Sequence, residues 1–166
     1  MCGIFLVFSK SGSSLHEGSC KSASMELNNR GPDHFKSSFF RNKTLFISNT
    51  ILSITGKLSK KKTITKSMNN NYSISFNGEV YNYSELLNNY LSINKMGKNT
   101  TDTEVLVNLH EKINYKSIPI LLNGMFAYVV YDQNKDRLII ANDVQGEKNL
   151  YFYEDNNYFI LASTIK

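Results

Sequence analysis

The chain has 166 residues, of which 41% are hydrophobic and 20% are charged, so it carries enough apolar material for the core of one globular domain. Its net charge of +5 is modest, and its lysines are not interleaved with aromatic residues, which argues against a nucleic-acid surface. No apolar run approaches the roughly 18 residues of a membrane span, and no signal peptide is recognisable. Two cysteines cannot form a disulfide framework, so we expect a cytoplasmic protein.

The first half of the chain is rich in strand patterns. Residues Cys2–Phe8 form an apolar run that predicts a strand beginning almost at the first residue. Chain ends usually fray, so a strand there indicates that the terminus is needed in a fixed place. Residues Ser19–Asn29 are weakly helical and are ended by the glycine and proline that follow Arg30. Further strands are predicted over Lys36–Phe40, Thr44–Ile54 and Tyr72–Phe76.

The second half begins with helical patterns and ends with strands. A turn is predicted at Asn77-Gly78, followed by helices over Ser84–Leu91 and Thr103–Ile113, the second opened by a capping box of Thr101 and Glu104. Four alternating segments joined by polar turns then predict antiparallel strands over Gly124–Asp132, Arg137–Asp143, Leu150–Tyr153 and Tyr158–Ser163. The order of strands, helices and strands, without an internal repeat, predicts an α+β domain of antiparallel sheets covered by helices.

Cys2 is the sharpest chemical feature. Removal of the initiator methionine would leave Cys2 with a free α-amine of pKa about 7.7–8.0 beside a thiol of pKa about 8.5. The amine could then take the thiol proton near neutral pH, so one residue would supply both nucleophile and base. The alternative is a small apolar residue at the start of a strand. A cysteine–histidine hydrolase that pairs Cys2 with His34 is a further hypothesis, although one sequence does not show which residues are adjacent in space.

Five short motifs occur in order along the chain. They are MCGI at Met1–Ile4, RGPD at Arg30–Asp33, NGEVYN at Asn77–Asn82, TDTEVL at Thr101–Leu106 and GMFA at Gly124–Ala127. Together they resemble the class II glutamine amidotransferase domain at the front of asparagine synthetases, over essentially residues 1–166. The resemblance implies a four-layer αββα sandwich of the N-terminal nucleophile hydrolase type. It also implies that the C-terminal synthetase domain is absent from this chain.

The resemblance assigns a task to each matched residue. Cys2 would attack the side-chain amide of glutamine, and the Asn77 amide with the Gly78 backbone N–H would stabilise the oxyanion, at about 3–4 kcal/mol per donor. Asp102 would accept hydrogen bonds from the α-ammonium group of the substrate. By the same resemblance Glu79 belongs to the substrate-binding residues. Arg30 is expected near the nucleophile, where it would order the segment around Cys2.

One position departs from the family pattern. The family's arginine that pairs with the α-carboxylate of glutamine is replaced by Ile51 in the run Asn49–Ile54. An apolar side chain does not neutralise a carboxylate, and a desolvated carboxylate without a partner costs several kcal/mol of binding. The family's arginine-aspartate pair near the C-terminal strands also reads Asn142-Asp143 here.

Three hypotheses follow from this departure. The first is a working glutaminase that holds the carboxylate with another cation, such as Lys57 or Arg41. The second is a glutaminase-like domain with impaired glutamine binding, which serves a synthetase as a structural or regulatory partner. The third is an N-terminal nucleophile hydrolase acting on an amide without an α-carboxylate.

The expected partners follow from the same resemblance. They are L-glutamine and a synthetase (ATP-pyrophosphatase) domain or partner chain, with a homodimer as one further arrangement, and without nucleic acid or membrane. Glutamine hydrolysis needs no metal, so we predict no cofactor.

Overall fold

The computed structural model describes residues 1–53, 62–91, 96–97 and 99–165. The chain divides into two compact units, Met1–Ile64 with Asn149–Lys166, and Thr65–Lys148. In the described part, no helix is long and apolar enough to cross a membrane. In chain order the elements are β1 (Gly3–Ser9), α1 (Glu17–Met25), a 3₁₀ turn (Asn28–Arg30), β2 (His34–Phe40), β3 (Leu45–Ile51), β4 (Thr65–Lys66), β5 (Tyr72–Val80), α2 (Tyr83–Tyr90), α3 (Asp102–Leu109), α4 (Ile118–Leu121), β6 (Gly124–Asp132), β7 (Arg137–Asn142), β8 (Tyr151–Glu154) and β9 (Tyr158–Ala162).

The first unit contains a five-stranded antiparallel sheet with the order β2-β3-β1-β9-β8. Side chains alternate along each strand, so Phe5 of β1 and Phe46 of β3 pack with Cys20 and Leu27 on the face that α1 covers. The opposite face carries a second row of buried aliphatic residues, Ile4, Leu6, Leu45 and Ile47. Both faces of β1 and β3 are therefore buried, which holds β1 in place immediately after the terminus.

The second unit contains a four-stranded antiparallel sheet with the order β4-β5-β6-β7. One face packs on the helices, where Phe76 and Phe126 belong to the same core as Leu106 of α3. The other face of β5 carries small and polar side chains that are also buried, namely Ser73, Ser75 and Asn77. A row of buried polar groups in a strand is costly unless each group has a purpose or a partner.

The α+β class and the predicted strands are confirmed, whereas the four-layer arrangement stays a prediction. One local prediction is wrong: Asn77-Gly78 does not form a turn, because β5 continues through both residues and pairs them with Ala127 and Phe126. The pairing continues to Val80, so the long complementary strand β6 overrides the local turn preference of the dipeptide.

Several element boundaries also differ from the prediction. The first helix begins at Glu17 and ends at Met25, and α3 ends at Leu109 rather than Ile113. The capping box of Thr101 and Glu104 is present, with both reciprocal hydrogen bonds formed. The last two strands do not extend the β6–β7 hairpin: β9 pairs with β1, and β8 pairs with β9 at the edge of the first sheet.

Candidate functional site

The backbone at the N-terminus is held by two side chains. Cys2 is half-buried directly before β1, and Arg30 Nε donates to its carbonyl oxygen at 3.2 Å. Asn49 Nδ2 donates to the next carbonyl, that of Gly3, at 2.9 Å. The Arg30 guanidinium thus contacts the backbone of the terminal segment directly at Cys2, and its predicted role in ordering that segment stays a prediction.

The loop that carries Arg30 is fixed to the end of β3. Asp33 N donates to Ile51 O at 3.1 Å, and Asp33 Oδ2 accepts from Ser53 N at 2.8 Å. A Cβ atom on Gly31 would lie 2.4 Å from Ile51 N, so the loop reaches the strand only because this residue is glycine. The arginine loop and the end of β3 therefore form one rigid corner.

Ile51 lies on the same face of the sheet as Cys2. The register pairs Gly3 with Thr50, so the next step places Cys2 across from Ile51. Thr50 points to the α1 side, where its hydroxyl donates to Leu27 O at 3.1 Å. The half-buried Ile51 therefore points to the opposite face, beside Cys2. The departure from the family pattern thus lies next to the candidate nucleophile.

The geometry disfavours a dyad of Cys2 and His34. His34 lies on β2 opposite Ile51, and β3 separates β2 from β1. Two strand spacings put roughly 10 Å between the backbones of the two residues. A hydrogen bond needs about 3 Å between donor and acceptor, and Ile51 stands between the two positions.

Asn77 in the second unit presents a buried amide. Its side chain is 1% exposed, and Nδ2 has no hydrogen-bond acceptor in the part of the chain that the structure describes. Gly78 follows with φ of 146°, and a Cβ atom there would lie 2.0 Å from Met125 O. No other residue fits at position 78 without moving β6.

The Gly78 N–H points away from β6. Phe126 lies opposite Gly78, but its backbone groups bond to Asp143 and not to Gly78. Asp143 N donates to Phe126 O at 2.8 Å, and Phe126 N donates to Asp143 Oδ2 at 3.2 Å. Opposite residues of an antiparallel ladder both face inward or both face outward with their backbone groups. The N–H of Gly78 therefore lies on the other edge of β5. The described residues of β4 pair there only with Ile74 and Ser73.

Asp102 lies on that same edge. Val80 N, two residues beyond Gly78, points the same way and donates to Asp102 Oδ2 at 3.2 Å, while Thr103 N donates to Oδ1 at 2.6 Å. Burial raises the pKa of Asp102, the two backbone N–H groups lower it in part, and the Glu79 carboxylate adds to the rise. Two residues of strand span about 7 Å, so the Gly78 N–H and the Asp102 carboxylate are about that far apart along one edge.

The two alternative cations for the glutamine carboxylate, Lys57 and Arg41, are not placed beside Cys2 by the described residues. Lys57 lies outside the described residues. Arg41 lies in the turn between β2 and β3, where its guanidinium stacks 4.8 Å from the centre of the Phe8 ring. Phe8 is at the end of β1 remote from Cys2, so Arg41 belongs to the far end of this sheet.

Comparison with known proteins agrees with the motifs. All 166 residues match a family model described as a glutamine amidotransferase domain. The chain belongs to this family. The family membership confirms the resemblance carried by the five motifs, and it makes the chain an amidotransferase domain of the enzyme type found in asparagine synthetases.

Several relatives of this amidotransferase domain are asparagine synthetases. "Asparagine synthetase [glutamine-hydrolyzing] 1" of Saccharomyces cerevisiae is 31% identical over 151 residues, which are 91% of this chain and 25% of the yeast protein. A probable asparagine synthetase of Acanthamoeba polyphaga mimivirus is 31% identical over 154 residues, or 92% of this chain and 27% of the viral protein. A putative asparagine synthetase of Methanocaldococcus jannaschii is 37% identical over 93 residues, or 56% of this chain and 17% of that protein. The chain thus spans about a quarter or less of these relatives.

Proposed function

We propose that this domain hydrolyses glutamine to glutamate and ammonia through a thioester on Cys2. The observation that carries the proposal is the buried Asn77 amide, whose Nδ2 has no acceptor among the described residues. A buried donor without a partner costs about 1–3 kcal/mol, so it persists where a ligand completes it. An oxyanion that forms during amide hydrolysis is such a ligand, and the adjacent Gly78 N–H supplies a second donor.

The proposed reaction begins at a Cys2 whose α-amine has been freed by removal of Met1. The amine accepts the thiol proton, and the thiolate sulfur bonds to the side-chain carbonyl carbon of glutamine. The carbonyl oxygen becomes an oxyanion, which Asn77 and Gly78 stabilise. The ammonium group returns the proton to the departing nitrogen, the carbon–nitrogen bond breaks and ammonia leaves. Water then hydrolyses the glutamyl thioester and restores the thiol.

The edge of β5 suits the recognition of glutamine rather than of a simple amide. Four carbons separate the α-amine of glutamine from its side-chain carbonyl oxygen, and the Gly78 N–H and the Asp102 carboxylate lie about 7 Å apart. The raised pKa of Asp102 means that its ionised form is disfavoured by its surroundings. An α-ammonium group placed against it would offset that cost, so the substrate's charge contributes to its binding.

Ile51 favours a second candidate function. It lies beside Cys2, where an arginine would meet the substrate carboxylate, and it offers that carboxylate no charge or hydrogen bond. A glutaminase-like domain with weak glutamine binding, acting as a structural or regulatory partner of a synthetase, accounts for this residue. The two candidates differ in the Michaelis constant for glutamine rather than in the nucleophile or the oxyanion donors.

The released ammonia has a proposed destination. The matched residues make up only 25% and 27% of two relatives that are named asparagine synthetases. We therefore infer that a synthetase domain or partner chain activates a carboxylic acid and receives the ammonia.

A matched pair of asparagine variants tests the proposal. Asn108 is also buried in the second unit, but its amide is satisfied: Nδ2 donates to Glu104 O at 2.8 Å and Oδ1 accepts from Met68 N at 2.9 Å. Asn77→Ala should lower kcat for ammonia release roughly 10²–10³-fold with a small change in melting temperature. Asn108→Ala should lose about 1–3 kcal/mol of stability and keep kcat at temperatures where it is folded.

Three results would contradict the proposal. The first is wild-type protein with a processed N-terminus that releases no ammonia at saturating glutamine. The second is an Asn77→Ala protein that melts early and retains the kcat of its folded fraction, which would give Asn77 a structural role only. The third is a Cys2→Ala variant that still releases ammonia, which would show that Cys2 is not the nucleophile.

A further inference from the structure

The Asp143 carboxylate is enclosed by backbone donors. Oδ1 accepts from Glu147 N at 2.9 Å, and Oδ2 accepts from Lys148 N at 3.1 Å and from Phe126 N at 3.2 Å. The residue is 7% exposed. Burial raises the pKa of Asp143, but these backbone donors together with Gln145 N outweigh it and the pKa is lowered overall. The carboxylate is therefore held ionised in one orientation.

This carboxylate takes the place of a backbone carbonyl in the β6–β7 ladder. The last ladder pair is Ala127 with Asn142, and the next step brings Phe126 opposite Asp143. Asp143 N still donates to Phe126 O, but the Asp143 carbonyl accepts from Gly146 N at 3.0 Å within the loop. The Asp143 carboxylate accepts the hydrogen bond from Phe126 N that the Asp143 carbonyl would accept in a regular ladder. A single residue thus turns the chain and still fixes the first residues of β6.

The position of Phe126 decides the position of Gly78. A Cβ atom on Gly78 would lie 2.7 Å from Phe126 Cα, so the two backbones are as close as a glycine allows. The alternation of the β5–β6 ladder turns the backbone groups of Phe126 toward Asp143, which satisfies both of them, and turns the Gly78 N–H to the outer edge. Asp143 therefore holds the strand segment against which Gly78 packs.

We propose that Asp143 is a positioning residue that holds Phe126 against Gly78, and so fixes the place of the Gly78 N–H, the second oxyanion donor. This inference rests on the proposed glutaminase function for its catalytic consequence. It also gives a reason for an aspartate at a place where the family's preceding arginine is replaced by Asn142. The carboxylate works on the backbone of the loop and of β6, whatever residue precedes it.

Asp143→Asn is the test variant, because the amide keeps one acceptor oxygen and turns an NH₂ group toward a backbone N–H. Asp132→Asn is the matched control. Asp132 lies at the other end of β6 and is 0% exposed. It accepts from Asn134 N at 3.2 Å and Lys135 N at 3.1 Å, and its Oδ2 forms an ion pair with Arg137 at 3.1 Å. Both variants should lose stability through weakened backbone hydrogen bonds, Asp132→Asn also through its ion pair with Arg137, and only Asp143→Asn should disturb Gly78.

Three measurements are made on both variants. The amide chemical shift of Gly78 should change in Asp143→Asn and stay at its wild-type value in Asp132→Asn. The kcat for glutamine should fall roughly tenfold or more in Asp143→Asn, with little change in KM, because a displaced oxyanion donor affects the transition state most. Alkylation of Cys2 by iodoacetamide proceeds without an oxyanion and should keep its wild-type rate in both.

The outcomes separate the two proposals. An unchanged Gly78 amide in Asp143→Asn overturns the positioning role, and so does an equal loss of kcat in both variants. A parallel fall in glutamine turnover and iodoacetamide alkylation also overturns it, because it shows a general disturbance. Absence of ammonia release from the wild type together with a shifted Gly78 amide in Asp143→Asn refutes the proposed function and the catalytic part of this inference, and leaves only a structural link between the two residues.

Discussion

Replacement of Ile51 by arginine should strengthen glutamine binding. Ile51 shares its sheet face with Cys2, one strand away, and is half-buried rather than part of the core. A half-buried side chain is partly in contact with solvent, so a longer one can extend outward from the strand. The added guanidinium would meet two charged neighbours, Arg30 on the carbonyl of Cys2 and Asp33 on the backbone of position 51. One repels it and the other attracts it, so the net effect on stability should be small.

The expected gain follows from the contact that the arginine would make. A bidentate, charge-assisted pair with a carboxylate contributes about 1.5–3 kcal/mol. Each 1.4 kcal/mol is tenfold in affinity, so kcat/KM for glutamine should rise on the order of tenfold or more. The contact stabilises the bound substrate and the transition state equally, so the change should appear as a lower KM with kcat nearly constant.

The assay measures ammonia release over a range of glutamine concentrations, alongside the melting temperature. Ile51→Lys is the control for charge without the planar fork, and should give a smaller fall in KM. Glutamine derivatives whose α-carboxylate is amidated provide the second control. With such a derivative Ile51→Arg should behave as the wild type, since the partner of the guanidinium is missing.

Two results would refute this reasoning. A destabilised Ile51→Arg protein with unchanged KM would mean that position 51 faces the core and that the carboxylate is held elsewhere. A fall in KM that is equal for glutamine and for the amidated derivative would mean that the arginine acts by a general electrostatic effect rather than by pairing with the carboxylate.

Two further predictions concern Cys2, Cys20 and His110. Cys20 is 6% exposed, and burial raises the pKa of its thiol, with Glu17 adding to the rise. Iodoacetamide should therefore label the half-buried Cys2 much faster than Cys20. Peptide mass mapping after a brief reaction would show the difference. Burial lowers the pKa of His110 to about 4, which Asp132 opposes, so an unfolded chain binds a proton between pH 6.5 and about 4 that the folded one does not. Wild-type stability should therefore fall by up to about 3 kcal/mol as the pH drops through that window, and His110→Phe should remove this part of the pH dependence in denaturant titrations.

Local patterns in the sequence were sufficient for most of the fold. Alternation of apolar residues predicted β6 over Gly124–Asp132 without error, and the capping box of Thr101 and Glu104 formed as expected, because both depend on residues close in the chain. The five motifs were also recognisable from the sequence alone, and they were enough to indicate the family. Helix ends were less well predicted, since fraying and tertiary contacts decide them.

Only the tertiary structure decided what the dipeptide Asn77-Gly78 does. In isolation it favours a turn, but pairing with β6 keeps it in a strand and buries the Asn77 amide. The role of Asp143 also depends on a residue 17 positions away, Phe126, whose backbone N–H it receives. The placement of Ile51 beside Cys2 comes from strand register across the sheet. A one-dimensional pattern carries no such information, because long-range pairing sets which edges and faces the same residues present.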